Sequence, residues 1–263
     1  MNSSDLTLGL ASSALLAAGM VRTKKVDPSR TPYVHKFADG HGGWFSDRQH
    51  ALRIWDGIAH CYSPWFLDAN HAPPGAGYLH LILWIYTDKR WYQPDGPAAA
   101  CLPYLASSFV EQGKSRDLRN ARLTVRLRGE ADLKGAKLVL LAQSRTAKKP
   151  PYRNMVLTGQ PIRITEDWSE QTIVLVNDPR EWTPIGSRKS LAHVYGNDDV
   201  GGLLADVSYN LILCLFPIKV VPASKGVTDP HGLVAGVDYP VDVKSLPKGL
   251  IQFESIRIDY PTK

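Results

Sequence analysis

The residue types best suited to proton transfer and polar-ligand binding cluster between Trp55 and Tyr86. Three histidines, two carboxylates and several aromatic rings lie there around a loop rich in proline and glycine. Imidazole has an unperturbed pKa near neutrality, so it can accept or donate a proton at physiological pH. The candidates for proton transfer are His60, Asp68 and His71, and those for ligand binding are Trp65, Asn70, Tyr78 and His80.

A structural interpretation of the same segment stays open. Asp68 and Asn70 could cap turns, whereas His60 and His80 lie in strand-like sequence and could be core or surface residues. The spacing of the histidines lacks a pattern characteristic of zinc sites. We therefore predict no transition-metal site.

A second set of candidates lies in two later segments. Arg145 and Arg153 could hold a carboxylate or phosphate through paired N–H groups, and Gln143 adds an amide close by. His193 and Tyr195 could act as an acid–base pair if a substrate proton lay between them. These residue types are equally compatible with a solvated loop.

Several aromatic rings lie in loop-like sequence, among them Trp65, Trp91 and Trp182. A flat indole can stack on the C–H face of a pyranose while neighbouring polar groups bind its hydroxyls. Each ring could instead seal a loop onto the core. Trp182 joins the ligand-binding candidates on this basis.

Bulk composition indicates a globular protein with a substantial core. The 263 residues are 44% hydrophobic and 21% charged, and the net charge is +6. The basic residues are mostly interspersed with acidic ones, and no basic helix or RNA-binding aromatic motif accompanies them. We predict no nucleic-acid partner.

The N-terminal stretch from Leu6 to Val21 is apolar and rich in alanine and serine. It is short for a transmembrane helix, and its basic residues follow the apolar run, unlike a good export signal. We predict a helical arm over residues 1–32 that packs on the body or on another copy of the chain. Three cysteines without zinc spacing favour a reducing, cytoplasmic location, with export through a weak N-terminal signal as the alternative.

Beyond residue 32 the sequence indicates short strands separated by turns. Residues 33–263 are therefore predicted to form one all-β domain, a jelly-roll-type antiparallel sandwich with long loops at 88–120 and 222–248. The predicted strands are Leu52–Tyr62, Tyr78–Thr87, Ala121–Leu127, Lys137–Ser144, Ile162–Ile164, Gln171–Val176, Asn210–Val221 and Gly249–Tyr260.

Three of these segments, with an opening segment Phe37–Trp44, resemble the strand pattern of carbohydrate-binding jelly rolls and concanavalin-like sandwiches. They are residues 117–129, 135–143 and 249–259, and the resemblance covers about residues 33–260. It implies that the opening region lies near the last strand. Glu254 stands where many such modules carry an aspartate beside a structural calcium ion, so calcium is the one metal considered, and no other cofactor is predicted.

The sequence favours carbohydrate recognition or processing by a β-sandwich. One alternative is a glycoside hydrolase or lyase that uses His with Asp or Tyr as acid and base, and another is a structural subunit of a homo-oligomer. The expected partner is a saccharide or another polar small molecule. A closed pocket built from the candidates would indicate turnover, whereas an open surface lined with aromatic rings would indicate binding.

Overall fold

Two β-sheets packed face to face dominate the computed structural model. The structure describes residues 27–46, 52–68, 78–91, 107–145, 150–186, 194–218 and 243–261. The strands within these ranges are β1 Tyr33–Lys36, β2 Arg53–Trp55, β3 Ile58–Tyr62, β4 Phe66–Asp68, β5 Tyr78–Tyr86, β6 Arg122–Asp132, β7 Lys137–Ser144, β8 Tyr152–Leu157, β9 Ser169–Val174, β10 Trp182–Pro184, β11 Tyr195–Asn197, β12 Asn210–Ile218 and β13 Lys248–Asp259.

Helical structure in the described ranges is short. Helix α1 spans Ser108–Glu111 and helix α2 spans Val200–Ala205. The side chains of Ser107 and Asp199 cap them by accepting hydrogen bonds from backbone N–H groups in the first turn. Single 3-10 turns occur at Pro28–Arg30, Phe37–Asp39, Lys89–Trp91, Pro179–Glu181 and Val243–Ser245.

The first sheet, called sheet A, has the strand order β2-β3-β13-β6-β9. Strand β13 is its long central strand. Along one edge β13 pairs first with β3 and then with β1, and along the other it pairs with β6. All these pairs are antiparallel, and a bulge lies between Phe253 and Ser255 of β13.

The second sheet, called sheet B, has the order β10-β8-β7-β12-β5-β4. Its pairs are antiparallel, with the exception of β11, which pairs with β8 in parallel. The long strands β5, β7 and β12 lie at its centre. They read as nearly continuous apolar sequence, which is typical of strands that are buried on both faces.

The two sheets bury one common core between them. In β6, Leu123, Val125 and Leu127 point inward, whereas the intervening residues are polar and partly exposed. This alternation follows from the two-residue side-chain period of a strand. Sheet A therefore has one buried face and one outer face that meets water.

Sheet B differs because its outer face is also buried. A second cluster of apolar side chains lies there, separate from the common core. Its members are Phe45, Leu79, Leu81, Trp84, Val139, Leu141, Val156, Ile185, Ile212, Cys214 and Phe216.

The structure confirms the all-β sandwich and most of the predicted strands. The predicted strand Leu52–Tyr62 is instead a hairpin of β2 and β3, because Asp56 and Gly57 form a turn. Ile162–Ile164 contributes one isolated bridge, from Ile162 to Leu138, rather than a strand. Strand β8, at residues 152–157, was not among the predicted strands.

The opening region does lie beside the last strand, since β1 pairs with β13. The apolar run Leu6–Val21 lies outside the described residues, so the arm stays a prediction, as does the jelly-roll topology. In the described ranges no helix has the length and apolarity needed to cross a membrane.

Candidate functional site

Two large aromatic side chains are exposed next to each other on the outer face of sheet A. Trp55 of β2 is 49% exposed and Tyr62 of β3 is 42% exposed. We call these two residues, together with His60 between them, the aromatic patch. Burial normally stabilises large apolar rings, so adjacent exposed rings on a folded domain often mark a binding surface.

A tight turn holds the patch together. Asp56 and Gly57 both have positive φ angles, 50° and 75°, which is the conformation of a two-residue type I′ hairpin. Gly57 also lies close to Ala38, whose Cβ would be 3.0 Å from any Cβ added to the glycine. The turn pairs Trp55 with Ile58, and the strand period then places Trp55, His60 and Tyr62 on one face.

The three rings contact one another. The centre of the Trp55 ring lies 4.7 Å from that of His60 and 6.0 Å from that of Tyr62. The His60 and Tyr62 rings are nearly parallel, with 6.0 Å between their centres. The guanidinium of Arg53 lies 5.9 Å from the centre of the Tyr62 ring. The patch is therefore a packed surface rather than a set of separate side chains.

A row of polar groups extends from the patch across sheet A. The register pairs His60 with Gln252 of β13, and Gln252 with Arg128 of β6. Arg128 Nε donates to Gln252 Oε1 at 2.7 Å, which turns the amide nitrogen of Gln252 towards His60 Nδ1, 3.1 Å away. Arginine can only donate, so Gln252 donates to Nδ1 and the neutral His60 ring carries its proton on Nε2.

The neutral form of His60 is favoured at neutral pH. Burial lowers the pKa of His60 below its ordinary value, and the charge of Arg128 lowers it further. Asp56 and the backbone of Trp55 oppose this shift. His60 is therefore mainly a neutral hydrogen-bonding group in this row.

The row ends at a second indole. The guanidinium of Arg128 lies 4.8 Å from the centre of the half-buried Trp168 ring, just before β9. Three strand spacings separate β3 from β9, or about 14 Å. Beside Tyr62 the aromatic patch borders an open depression of about 690 Å³. The walls of this depression include Tyr62, Glu130 and Lys248.

Three of the predicted residues near the proline/glycine loop lie inside the molecule. Trp65 is 5% exposed, and its Nε1 donates to the Cys61 carbonyl at 3.1 Å. His80 is 1% exposed, its ring centre lies 6.2 Å from that of Trp65, and burial lowers its pKa to about 4, a shift that the Trp65 backbone opposes. Tyr78 is also buried. In this arrangement Trp65 presents no open ring face to a ligand.

The remaining candidates of that segment do not join the aromatic patch. Asp68 of β4 is fully buried and pairs in register with Leu79, whose side chain belongs to the outer cluster of sheet B. Asn70 and His71 lie outside the described residues. The segment that looked like one site therefore contributes to both sheets and to the core.

The structure does bring together part of the second candidate set. Gln143, Arg145 and Tyr195 meet at one end of sheet B. The guanidinium of Arg145 donates to the Tyr195 hydroxyl and lies 3.9 Å from the centre of the Tyr209 ring. Burial raises the pKa of Tyr195, and Arg145 only partly offsets this, so Tyr195 keeps its proton at neutral pH.

Arg153 and Trp182 make structural contacts instead. Arg153 Nη2 donates to Asp199 at 2.8 Å, and Asp199 also accepts from Gly202 N at 2.7 Å as the cap of α2. Trp182 is buried, and its Nε1 donates to the Val176 carbonyl at 2.9 Å. His193 lies outside the described residues.

Trp55, Tyr62, Gln252, Arg128 and Trp168 were not among the predicted site residues. The signal for the first two was present in the sequence, because Asp-Gly between two short alternating segments predicts a hairpin. No local sequence pattern indicated that Gln252 or Arg128 would belong to the site. They join the row only because the register brings β13 and β6 next to β3.

The described ranges contain no group of three His, Cys, Asp or Glu side chains that could hold a metal ion. Glu254, which was considered for structural calcium, forms an ion pair with Arg126. Cys61 and Cys214 are free and buried, and burial raises the pKa of both thiols. Both are therefore protonated at neutral pH.

The chain matches no protein-family model and no curated protein sequence. The L4b domain of human laminin alpha-2 is 7% identical, covers 89% of this chain and 99% of its own, and has a TM-score of 0.36. The apo Crh5 transglycosylase is 13% identical, with coverages of 89% and 86% and a TM-score of 0.35. A structure described with endo-acting O-glycanases of the human gut microbiota is 10% identical, with coverages of 88% and 99% and a TM-score of 0.36. Similarity at this level transfers no ligand or activity to this chain.

Proposed function

We propose that this protein recognises a saccharide through the outer face of sheet A. The observation that carries the proposal is the aromatic patch, in which exposed Trp55 and Tyr62 flank His60 at the start of a hydrogen-bonded polar row. The patch supplies flat apolar area, and the row supplies directed donors and acceptors. A polar ligand with apolar C–H faces needs both.

The dimensions favour an oligosaccharide over a single sugar. Ring faces stand at both ends of the row, at Trp55 and Tyr62 on one side and at Trp168 on the other. A span of about 14 Å from β3 to β9 suits an extended ligand that lies flat across the strands. The depression beside Tyr62 offers room for the chain to continue past the patch.

Recognition is favoured over turnover because the face is open. Glycan hydrolysis usually proceeds in a site that excludes bulk water and holds an acid–base pair in place. Here Trp55 and Tyr62 are nearly half exposed, and His60 is held as a neutral hydrogen-bonding group between Gln252 and the patch. These features suit reversible binding.

Titration calorimetry with a set of soluble oligosaccharides, chosen from a glycan array, tests the proposal. Trp55→Ala and Tyr62→Ala should each weaken binding by about 1–3 kcal/mol, or roughly 5- to 150-fold, by analogy with the stacking of bases on aromatic rings. Val34→Ala is the matched control. Val34 is an exposed apolar residue of β1 that pairs with the far end of β13, and its loss should leave affinity unchanged.

Two results would overturn the proposal. One is the absence of any retained glycan on the array. The other is a glycan that binds both aromatic variants as tightly as it binds the parent protein. In each experiment melting temperatures confirm that the variants are folded.

A further inference from the structure

Three amide side chains lie next to one another on the outer face of sheet B. Asn154 of β8 pairs in register with Gln143 of β7, and Gln143 pairs with Asn210 of β12. We call these three residues the amide row. Each lies two positions along its strand from a member of the apolar outer cluster, namely Val156, Leu141 and Ile212, so all three share that face.

The amide row is buried, yet most of its polar side-chain atoms make no hydrogen bond in the described part of the chain. Gln143 and Asn154 are 0% exposed and Asn210 is 6% exposed. In the described part of the chain, both polar atoms of Gln143, both of Asn154 and Oδ1 of Asn210 make no hydrogen bond. Buried amides almost always have partners, because an unpaired one loses its bonds to water without replacement.

The surroundings make this end of the face polar, whereas the rest of it is mostly apolar apart from the buried Asp68 of β4. Trp84 of β5, next to Ile212, contributes a buried indole Nε1 that also lacks a hydrogen bond among the described residues. Beyond the row, Arg145 stacks on Tyr209 and donates to Tyr195. A face that served only for packing would carry apolar residues here, as it does two residues along the strands at Leu141 and Val156.

We infer that the amide row is a second ligand site, which binds a neutral polyhydroxylated unit such as a single sugar. A carboxamide offers one acceptor and one donor group side by side, and a hydroxyl both donates and accepts, so a row of amides matches a row of hydroxyls. The unpaired groups carry no formal charge, which suits an uncharged ligand. The site is independent of the aromatic patch, because the two occupy opposite outer faces of the sandwich.

Gln143→Met tests the inference, with Asn154→Val as a second variant. Both changes remove unpaired polar groups from an apolar face, so both should raise the melting temperature of the sugar-free protein, by on the order of 2–4 °C. Gln160→Met is the matched control. Gln160 Nε2 donates to the Val174 carbonyl at 3.0 Å and its Oε1 accepts from Val174 N at 2.8 Å, so losing this amide should lower the melting temperature.

The probes are glucose, galactose, mannose, xylose and N-acetylglucosamine at millimolar concentration, followed by thermal shift and ligand-observed NMR. The measurements use a Trp55→Ala/Tyr62→Ala background, so that binding at the aromatic patch does not contribute. At least one sugar should raise the melting temperature of this background protein. Adding Gln143→Met or Asn154→Val should abolish that rise.

Three outcomes would overturn the inference. If Gln143→Met and Asn154→Val destabilise the protein as Gln160→Met does, the amides have structural partners. If they stabilise it but the effect of the sugar persists, the row holds ordered water only. If none of the five sugars shifts the melting temperature or shows NMR contact, the row does not bind a sugar unit. None of these results depends on whether the aromatic patch binds a saccharide.

Discussion

The two outer faces of the sandwich differ in their exposure to water and in the hydrogen bonding of their polar groups. The outer face of sheet A meets water, and its polar groups bond to one another, as in the row from His60 through Gln252 to Arg128. The outer face of sheet B is buried, and its amide row has no such bonds among the described residues. An exposed group can exchange its partners with water at little cost, whereas a buried one cannot. An open face and an enclosed face can therefore be told apart by how their polar groups are hydrogen-bonded.

The largest expected effect is a difference in the free energy of unfolding between variants of two tryptophans, Trp65 and Trp55. Trp65→Ala removes a buried ring and its hydrogen bond to Cys61, so the free energy of unfolding should fall by about 3–5 kcal/mol. Trp55→Ala removes an exposed ring and should change it by no more than about 0.5 kcal/mol. Urea unfolding of both variants measures the difference. Equal losses would contradict the division between a core ring and a surface ring.

A second test compares how the buried His80 and the more exposed His60 contribute to the pH dependence of stability. Burial lowers the pKa of His80 to about 4, so the unfolded chain binds a proton between about pH 6.5 and pH 4 that the folded chain does not. The stability associated with neutral His80 is thus complete above pH 6.5 and is lost progressively down to about pH 4. The expected loss is about 3 kcal/mol.

Denaturant unfolding at several pH values in this window checks the prediction, with His80→Leu as the test variant. This variant should lose much less stability on acidification than the parent protein. The same change at the surface, His60→Leu, should leave most of the acid sensitivity in place. An identical pH profile for the parent and His80→Leu would show that other groups cause the acid sensitivity.

The smallest effect concerns the polar row itself. Arg128→Met removes a positive charge beside His60, so the pKa of His60 should rise towards its ordinary value. NMR titration of the His60 ring protons follows this change. Arg257→Met, on the same face but paired with Asp259, serves as the control and should leave the pKa of His60 unchanged. A fall in the pKa of His60 in Arg128→Met would contradict the geometry of the row.

Much of the fold was predictable because strand periodicity is a local property. Strand β6 alternates between apolar and polar residues, as expected for a strand with one face exposed to water. Strand β12 is apolar from Leu211 to Phe216, as expected for a strand that is buried on both faces. Strand β8 was missed because tyrosine, arginine and asparagine near its start read as loop residues. Their places in a sheet depend on pairing with β7, which no local pattern records.

The candidate site was less predictable, because its membership depends on the face of the sheet to which each side chain points. His60 was correctly placed on a strand, but its partners Gln252 and Arg128 are far away in sequence. Gln143, Arg145 and Tyr195 were grouped on residue type, and the structure brings them to one end of sheet B. Trp65 and Trp182 were considered as stacking platforms, and both rings are buried.

The sequence by itself determined the all-β architecture and most strand positions, because these follow from side-chain period over a few residues. The Asp-Gly pair also carried the signal for the tight turn at Asp56 and Gly57, although the predicted strand Leu52–Tyr62 ran through it. Only the tertiary structure decided which aromatic rings remain exposed and which amides are buried without partners in the part of the chain that the structure describes. Those outcomes depend on register and on what packs against each face. A shift of one residue in pairing would send His60 or Gln143 to the opposite side of its sheet.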